Sequence, residues 1–232
     1  MKQEAKKIFL RAGILFLLFV VFTILIQYVD VRTWETGTSI GFSTLNIAIF
    51  KLFGGYHELL YIITDLCAYP AIALAMVFAV LGVYEGIQRK NIFKVDPDLF
   101  VLGGFYVAVV AAYLVFEVVI INYRPILVDG VIKASYPSSH TLISIAIFAT
   151  AVLQMKERLK NQTLGLALRF LIDVFTTFTI AGRLICGAHW LTDILGALLL
   201  SSTLVECYKA CICLLPKKEK SDGPESLSNG KP

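Results

Sequence analysis

Charge is scarce in this chain, histidine is scarcer, and paired cysteines are missing. Of 232 residues, 16% are Asp, Glu, Lys or Arg and 57% are hydrophobic, with a mean hydropathy of +0.76. That supply of polar side chains does not suit a water-soluble domain of this length. The apolar residues also come in long runs. About 20 consecutive apolar residues cross a bilayer as a helix, because backbone groups in lipid have to pair within their own segment. The sequence is therefore that of an integral membrane protein. The five cysteines, Cys67, Cys186, Cys207, Cys211 and Cys213, are odd in number and lie in or beside apolar runs. No Cys/His spacing of metal-ligand type appears, so neither a disulfide framework nor a structural metal is expected. Small apolar packing residues are the simpler reading. No internal repeat is visible, and the modest net charge of +4 carries no nucleic-acid signal.

Six spans are expected, at about 8–28, 59–87, 98–121, 138–155, 164–182 and 191–214, giving an all-α polytopic fold. The first follows Lys2, Lys6, Lys7 and Arg11. It is longer than a signal-peptide core and has no small-residue cleavage site, so it reads as a retained span. Ser43 to Phe53 is too short to span and fits a helix lying in the membrane interface, within the first outer loop. Residues 1–215 are expected to form one six-span domain. Residues 216–232, rich in Lys, Glu, Ser, Gly and Pro, read as a disordered cytoplasmic tail.

Lys and Arg set the orientation. With an inside N-terminus, the inside segments hold Lys2, Lys6, Lys7, Arg11, Arg89, Lys90, Lys94, Lys156, Arg158, Lys160, Lys209, Lys217, Lys218, Lys220 and Lys231. The outside segments hold Arg32, Lys51, Arg124, Lys133 and Arg183, with Arg169 counted in neither group. Fifteen against five places both termini in the cytoplasm. The compact architecture favours a bacterial plasma membrane.

Two of the three histidines stand where apolar helices begin on the outer face. His140 lies in Tyr136-Pro137-Ser138-Ser139-His140, and His189 lies in Arg183-x5-His189-x3-Asp193. Arg124, in Asn122-Tyr123-Arg124-Pro125, falls on the same face. Phosphoester cleavage needs a nucleophile, a proton donor for the leaving oxygen, and fixed positive charge around the phosphoryl oxygens. His189 suits the first role, because Asp193 one helical turn on can accept from one ring nitrogen and leave the other to attack. His140 is the candidate general acid. Arg124 and Arg183 supply planar permanent charge. A helix opening after Pro137 offers unpaired backbone N–H groups, joined by the hydroxyls of Ser138 and Ser139. His57, in Gly-Gly-Tyr-His, reads as a solvated loop residue. Arg169 and Asp173, four apart, read as an ion pair. For Asp65 in span two, a bond to a neighbouring helix and a place facing the site both fit.

These motifs resemble those of the type 2 phosphatidic acid phosphatase and vanadium haloperoxidase superfamily, in its membrane lipid phosphatase branch. That family carries Lys-x6-Arg-Pro, Pro-Ser-Gly-His and Ser-Arg-x5-His-x3-Asp. Here they stand as Glu117-x6-Arg124-Pro125, Pro137-Ser138-Ser139-His140 and Gly182-Arg183-x5-His189-x3-Asp193. The resemblance implies a phosphohistidine formed on His189 and supported by Asp193. It implies leaving-group protonation by His140, and phosphate held by Arg124, Arg183 and Ser138, with no metal and no cofactor. Three positions depart from the pattern: Glu117 for lysine, Ser139 for glycine and Gly182 for serine. Glu117 reverses a charge, so it either faces the pocket and tunes substrate choice or pairs with Arg124 or Lys133.

The expected activity is hydrolysis of a lipid phosphate or diphosphate at the outer leaflet, of the phosphatidate, phosphatidylglycerol phosphate or polyprenyl diphosphate class. A phosphotransferase using the same intermediate differs only in its acceptor. A transporter is disfavoured because the charged motif residues gather at one surface. Glu117 in place of the family lysine leaves a non-catalytic scaffold as an alternative, and a haloperoxidase is disfavoured because those relatives are typically soluble.

The orientation is checked with single cysteines at exposed positions of the 122–136 loop, in a chain lacking its native cysteines. They are expected to react with an impermeant thiol reagent added outside intact cells. Labelling that requires permeabilisation would reverse the topology.

Overall fold

The computed structural model describes residues 1–216. The elements run α1 (Lys2–Tyr28), a two-stranded antiparallel hairpin β1 (Arg32–Thr33) and β2 (Ser39–Ile40), α2 (Ser43–Leu52), α3 (Glu58–Leu66), α4 (Ala68–Gln88), a 3-10 turn (Ile92–Lys94), α5 (Pro97–Val118), α6 (Ser139–Arg158), α7 (Gln162–Ile185) and α8 (Leu191–Leu214). Six helical stretches are long and apolar enough to cross a membrane, with α3 and α4 together forming the second. The short helix α2 is the one expected in the first outer loop. The tail assigned to residues 216–232 lies, apart from Pro216, outside the described residues.

The bundle is organised by α8, which packs most extensively on α1 and α6. On α1 the residues that become buried are Ala5, Ala12, Phe19 and Ile26. They recur every seven positions, which keeps one seam facing an antiparallel neighbour along the whole membrane depth. Small residues at the inner end let the backbones close up, as membrane helix pairs require when lipid is as apolar as leucine. The pair is fastened near the chain's ends by Arg11 Nη2 and Glu206 Oε2 at 3.1 Å. Much of the outward surface of α1, including Leu10, Leu17 and Ile24, is exposed, as a lipid-facing side should be.

Span two differs from its expected continuous form. Pro70 falls inside what would be a single helix over Glu58–Gln88, in the first turn of its second half. It has no N–H to donate, and its ring opposes the carbonyl four residues back. The chain breaks at Cys67, and the two halves take different neighbours: α4 packs mainly on α6, and α3 packs mainly on α7. Arg169 Nε and Asp173 Oδ2 lie 3.7 Å apart, the expected i,i+4 pair.

Tyr136 is the core's anchor at the outer end. It is 1% exposed, stacks with Phe19 at a 6.1 Å centroid distance, meets Phe116 edge-on at 6.0 Å, and shares a 2.7 Å hydrogen bond with Thr23. Gly196 on α8 lies under its ring, and a Cβ there would come within 2.2 Å of Tyr136 Cε2. The ring is held on both faces and cannot yield cheaply. Gly196→Ala is therefore expected to destabilise the protein by about 1–3 kcal/mol, read as a lower thermal midpoint in detergent. An unchanged midpoint would mean that the ring has room to shift.

Candidate active site

The first turn of α8 gathers the loops at its end of the bundle. Asp193, at the third position of the helix, accepts a hydrogen bond from the Trp190 N–H through Oδ2 (2.9 Å), capping the helix start. Its backbone carbonyl accepts from Ser138 N at 3.1 Å, tying the start of α6 to the start of α8. Asn46 on α2 donates to Thr192 Oγ1 (2.9 Å) and accepts from Thr192 N (3.2 Å). Two indoles then fix the Arg124 segment. Trp190 Nε1 donates to the Tyr123 carbonyl and Trp34 Nε1 to the Pro125 carbonyl, both at 2.8 Å, so the carbonyls before and after Arg124 are each held. The indoles pack edge to face at 5.2 Å, an arrangement worth about 0.5–1.5 kcal/mol beyond area burial.

His189 lies in the turn between α7 and α8 and is 2% exposed. Its Nδ1 is 3.1 Å from the Ser135 carbonyl and 3.6 Å from Asp193 Oδ2. The expected Asp193 partner is thus the more distant of two acceptors, because Asp193 already serves the Trp190 cap. The Nδ1–H donates to the Ser135 carbonyl, which fixes the tautomer with Nε2 unprotonated. Nε2 is buried without a hydrogen-bond partner among the described residues. Burial holds the imidazole well below its ordinary pKa, and the charges of Arg124, Arg183 and His140 push it the same way.

The sequence-derived residues fall into two neighbouring groups. His189, Arg124, Ser139 and Glu117 line one small cleft of about 10 Å³ together with Tyr113 and the Ser135–Pro137 turn. Arg124 Nε donates to the Ala134 carbonyl (3.3 Å), which steadies the guanidinium. Glu117 faces this cleft. Lys133 pairs with Asp129 instead (3.2 Å), and the Glu117 carboxylate interacts with Tyr113 one turn earlier. The second group holds His140 and Arg183. His140 Nε2 is 3.2 Å from Asp65 Oδ1, and Arg183 Nη1 is 3.5 Å from the same oxygen. Arg183 is fully buried, with its guanidinium carbon 4.8 Å from the Tyr61 ring centroid. Ser138 is the α6 N-cap, its Oγ accepting from Thr141 N at 3.5 Å. His57 stays exposed, its ring bonded to Phe53 O at 2.6 Å.

Sequence reasoning missed the Ser135 carbonyl, the two tryptophan pins and the double contact of Asp65. A backbone carbonyl leaves no mark in residue identity. The tryptophans could have been flagged as large rings with a polar handle near a membrane surface.

Arg183 Nε and Nη2 and His140 Nδ1 join His189 Nε2 as buried nitrogens without a partner among the described residues. Each such group costs about 1–3 kcal/mol when left unpaired in an interior. Their gathering beside Arg124 suits an anion with several acceptor oxygens.

His189 also links stability to pH. Its folded pKa is depressed, so it adds nothing unfavourable above its unfolded value of about 6.5. As pH falls below about 6.5 the unfolded chain gains a proton that the folded site resists, and stability is lost by up to about 1.4 kcal/mol per pH unit. The thermal midpoint of the wild type should fall between pH 7 and 5 more steeply than that of His189→Gln. Parallel curves would show that His189 is readily protonated in the folded protein.

The PAP2 superfamily profile matches residues 70–212. No curated protein sequence matches the chain. Among solved structures, the chain is similar to the crystal structure of a transmembrane PAP2-type phosphatidylglycerolphosphate phosphatase from Bacillus subtilis. That match has a TM-score of 0.66 at 16% identity and covers 90% of this chain and 98% of that one. At that identity the structural match speaks for the six-span fold, whereas the profile spans the segment that holds Arg124, His140, Arg183, His189 and Asp193. The chain belongs to the PAP2 superfamily.

Proposed function

We propose that the protein is a metal-independent membrane phosphatase that hydrolyses a lipid phosphate or diphosphate through a phosphohistidine on His189. The observation that carries this reading is the His189 side chain: Nδ1 held by the Ser135 carbonyl, Nε2 buried and unpartnered, and the ring kept neutral among cations. A neutral imidazole with a free lone pair is a nucleophile at neutral pH.

In this reading Nε2 attacks phosphorus and the bond from phosphorus to the lipid oxygen breaks. His140 passes its proton to that oxygen, and the lipid leaves as an alcohol. Water then attacks the phosphohistidine, His140 takes the proton back, and inorganic phosphate departs with His189 regenerated. Arg124 and Arg183 neutralise the charge that builds on the phosphoryl oxygens. The Ser139 N–H and hydroxyl at the start of α6 face the same anion. Asp193 acts chiefly by holding the α8 start on which His189 is mounted.

The lysine and arginine asymmetry supports an active site on the extracytoplasmic face, with substrate drawn from the outer leaflet. The Bacillus subtilis protein is named for phosphatidylglycerolphosphate, so that lipid joins phosphatidate and polyprenyl diphosphates as a substrate class. Glu117 sets the preference among them, because a carboxylate beside Arg124 opposes the more highly charged headgroups.

The test is phosphate release from a panel of these lipids by purified protein in the presence of a chelator. Wild type should turn over at least one, with inhibition by vanadate, a trigonal-bipyramidal mimic of the phosphoryl transition state. His189→Ala should lose activity by about 10³-fold or more, and Asp193→Asn by less. Phosphate release by His189→Ala at near wild-type rate would remove the nucleophile, and strict dependence on magnesium would sink the metal-free mechanism.

A further inference from the structure

Asp65 lies outside all three sequence motifs, on the half-helix that Pro70 separates from the rest of span two. Its side chain is 48% exposed. An ordinary ion pair at that exposure contributes little stability, roughly 0–1 kcal/mol. Its geometry is more specific than that. A single oxygen, Oδ1, lies 3.2 Å from His140 Nε2 and 3.5 Å from Arg183 Nη1, and so joins α3 to both α6 and α7. Tyr61, one turn earlier on α3, lies against the same guanidinium.

The backbone is arranged to bring this about. Thr64 is fully buried, and its hydroxyl is occupied within its own helix by the Leu60 carbonyl at 2.8 Å, which leaves its methyl against α7. The residue it meets is Gly182, where a Cβ would sit 2.4 Å from Thr64 Cγ2. Serine, which the family pattern has at this position, would collide. The loss of that side chain is what lets α3 lie close enough for Asp65 to reach the next residue, Arg183.

We propose that Asp65 is a positioning residue for proton transfer and phosphate binding, acting through His140 and Arg183. With Oδ1 3.2 Å from His140 Nε2, it draws that nitrogen's charge toward itself and holds the ring so that Nδ1, the buried nitrogen without a partner among the described residues, is the atom that gives and regains the proton. Engaging Nη1 alone, it orients Arg183 while leaving Nε and Nη2 free for phosphoryl oxygens. This inference rests on the phosphatase reading and adds to it a residue and an atom assignment.

The readout is dependence on the leaving group. The alkoxide that departs from phosphatidate needs a proton, and the phenolate that departs from p-nitrophenyl phosphate does not. Asp65→Ala should lower kcat on phosphatidate by at least about tenfold, part of the 10²–10⁴ that general acid catalysis supplies. Its kcat on p-nitrophenyl phosphate should change less than about threefold, while KM rises for both because Arg183 is loosened. Asp65→Asn, which keeps an acceptor oxygen and loses the charge, should show the same pattern more weakly. Gly182→Ser should reproduce the selective loss by pushing α3 away, and adding Thr64→Ser, which deletes the colliding methyl, should recover it. Equal kcat losses on the two substrates, or none, overturn the inference while leaving the phosphatase reading in place. Wild-type protein that releases phosphate from neither substrate overturns that reading, and this inference with it.

Discussion

The end of the molecule that carries both motif histidines depends on how α8 begins. In a bilayer the first backbone N–H groups of a helix have few places to find partners, and here side chains and neighbouring segments meet at that point. Asp193 reaches back to cap Trp190, Thr192 exchanges hydrogen bonds with Asn46, and the Asp193 carbonyl receives Ser138 N–H. Each bond recruits a different part of the chain, so α2, the Arg124 loop and the start of α6 are all positioned from one helical turn. His189 precedes that turn by a single residue. A carboxylate beside a histidine invites description as its proton acceptor. In this site it is first a structural cap, and a backbone carbonyl stands closer to the ring.

Much of the architecture was legible because membranes simplify the code. Spans must be long and apolar, and cationic side chains mark the ends, so hydropathy and Lys/Arg placement were enough to locate the six crossings and the interfacial helix. The motif residues were legible as well, since His140, His189, Arg124 and Arg183 are rare polar groups at the ends of apolar runs. What could not be read were relations created by packing. Span two was read as one continuous helix, and nothing in its hydropathy said that its two halves would take different partners. The two placements open for Asp65 turn out to be one, since bonding across helices and facing the site are the same contact. The Ser135 carbonyl belongs to a residue whose identity does not matter to its acceptor role.

The departures from the family pattern differ in kind. Gly182 is a matter of volume, since removing one side chain admits another helix. Glu117 is a matter of charge, a carboxylate in the wall of a cleft that also holds Arg124 and His189. Ser139 adds a side chain where the pattern leaves backbone, at a helix start already capped by Ser138. Volume and charge changes have separate consequences: the first moves elements, and the second alters what the unmoved elements attract.

Helix α7 buries Thr179, Gly182 and Arg183, all in its last two turns, and presents most of its remaining length outward. Mechanically it is held at that end and braced lower down on α6 by Ile172 and Phe175, whose ring meets Phe148 edge-on at 5.7 Å. A change in bilayer thickness that tilts this lipid-facing helix pivots it about those contacts, and Arg183 sits at one of them. The lipid around this protein is thereby a lever on the guanidinium as well as a solvent for the fold.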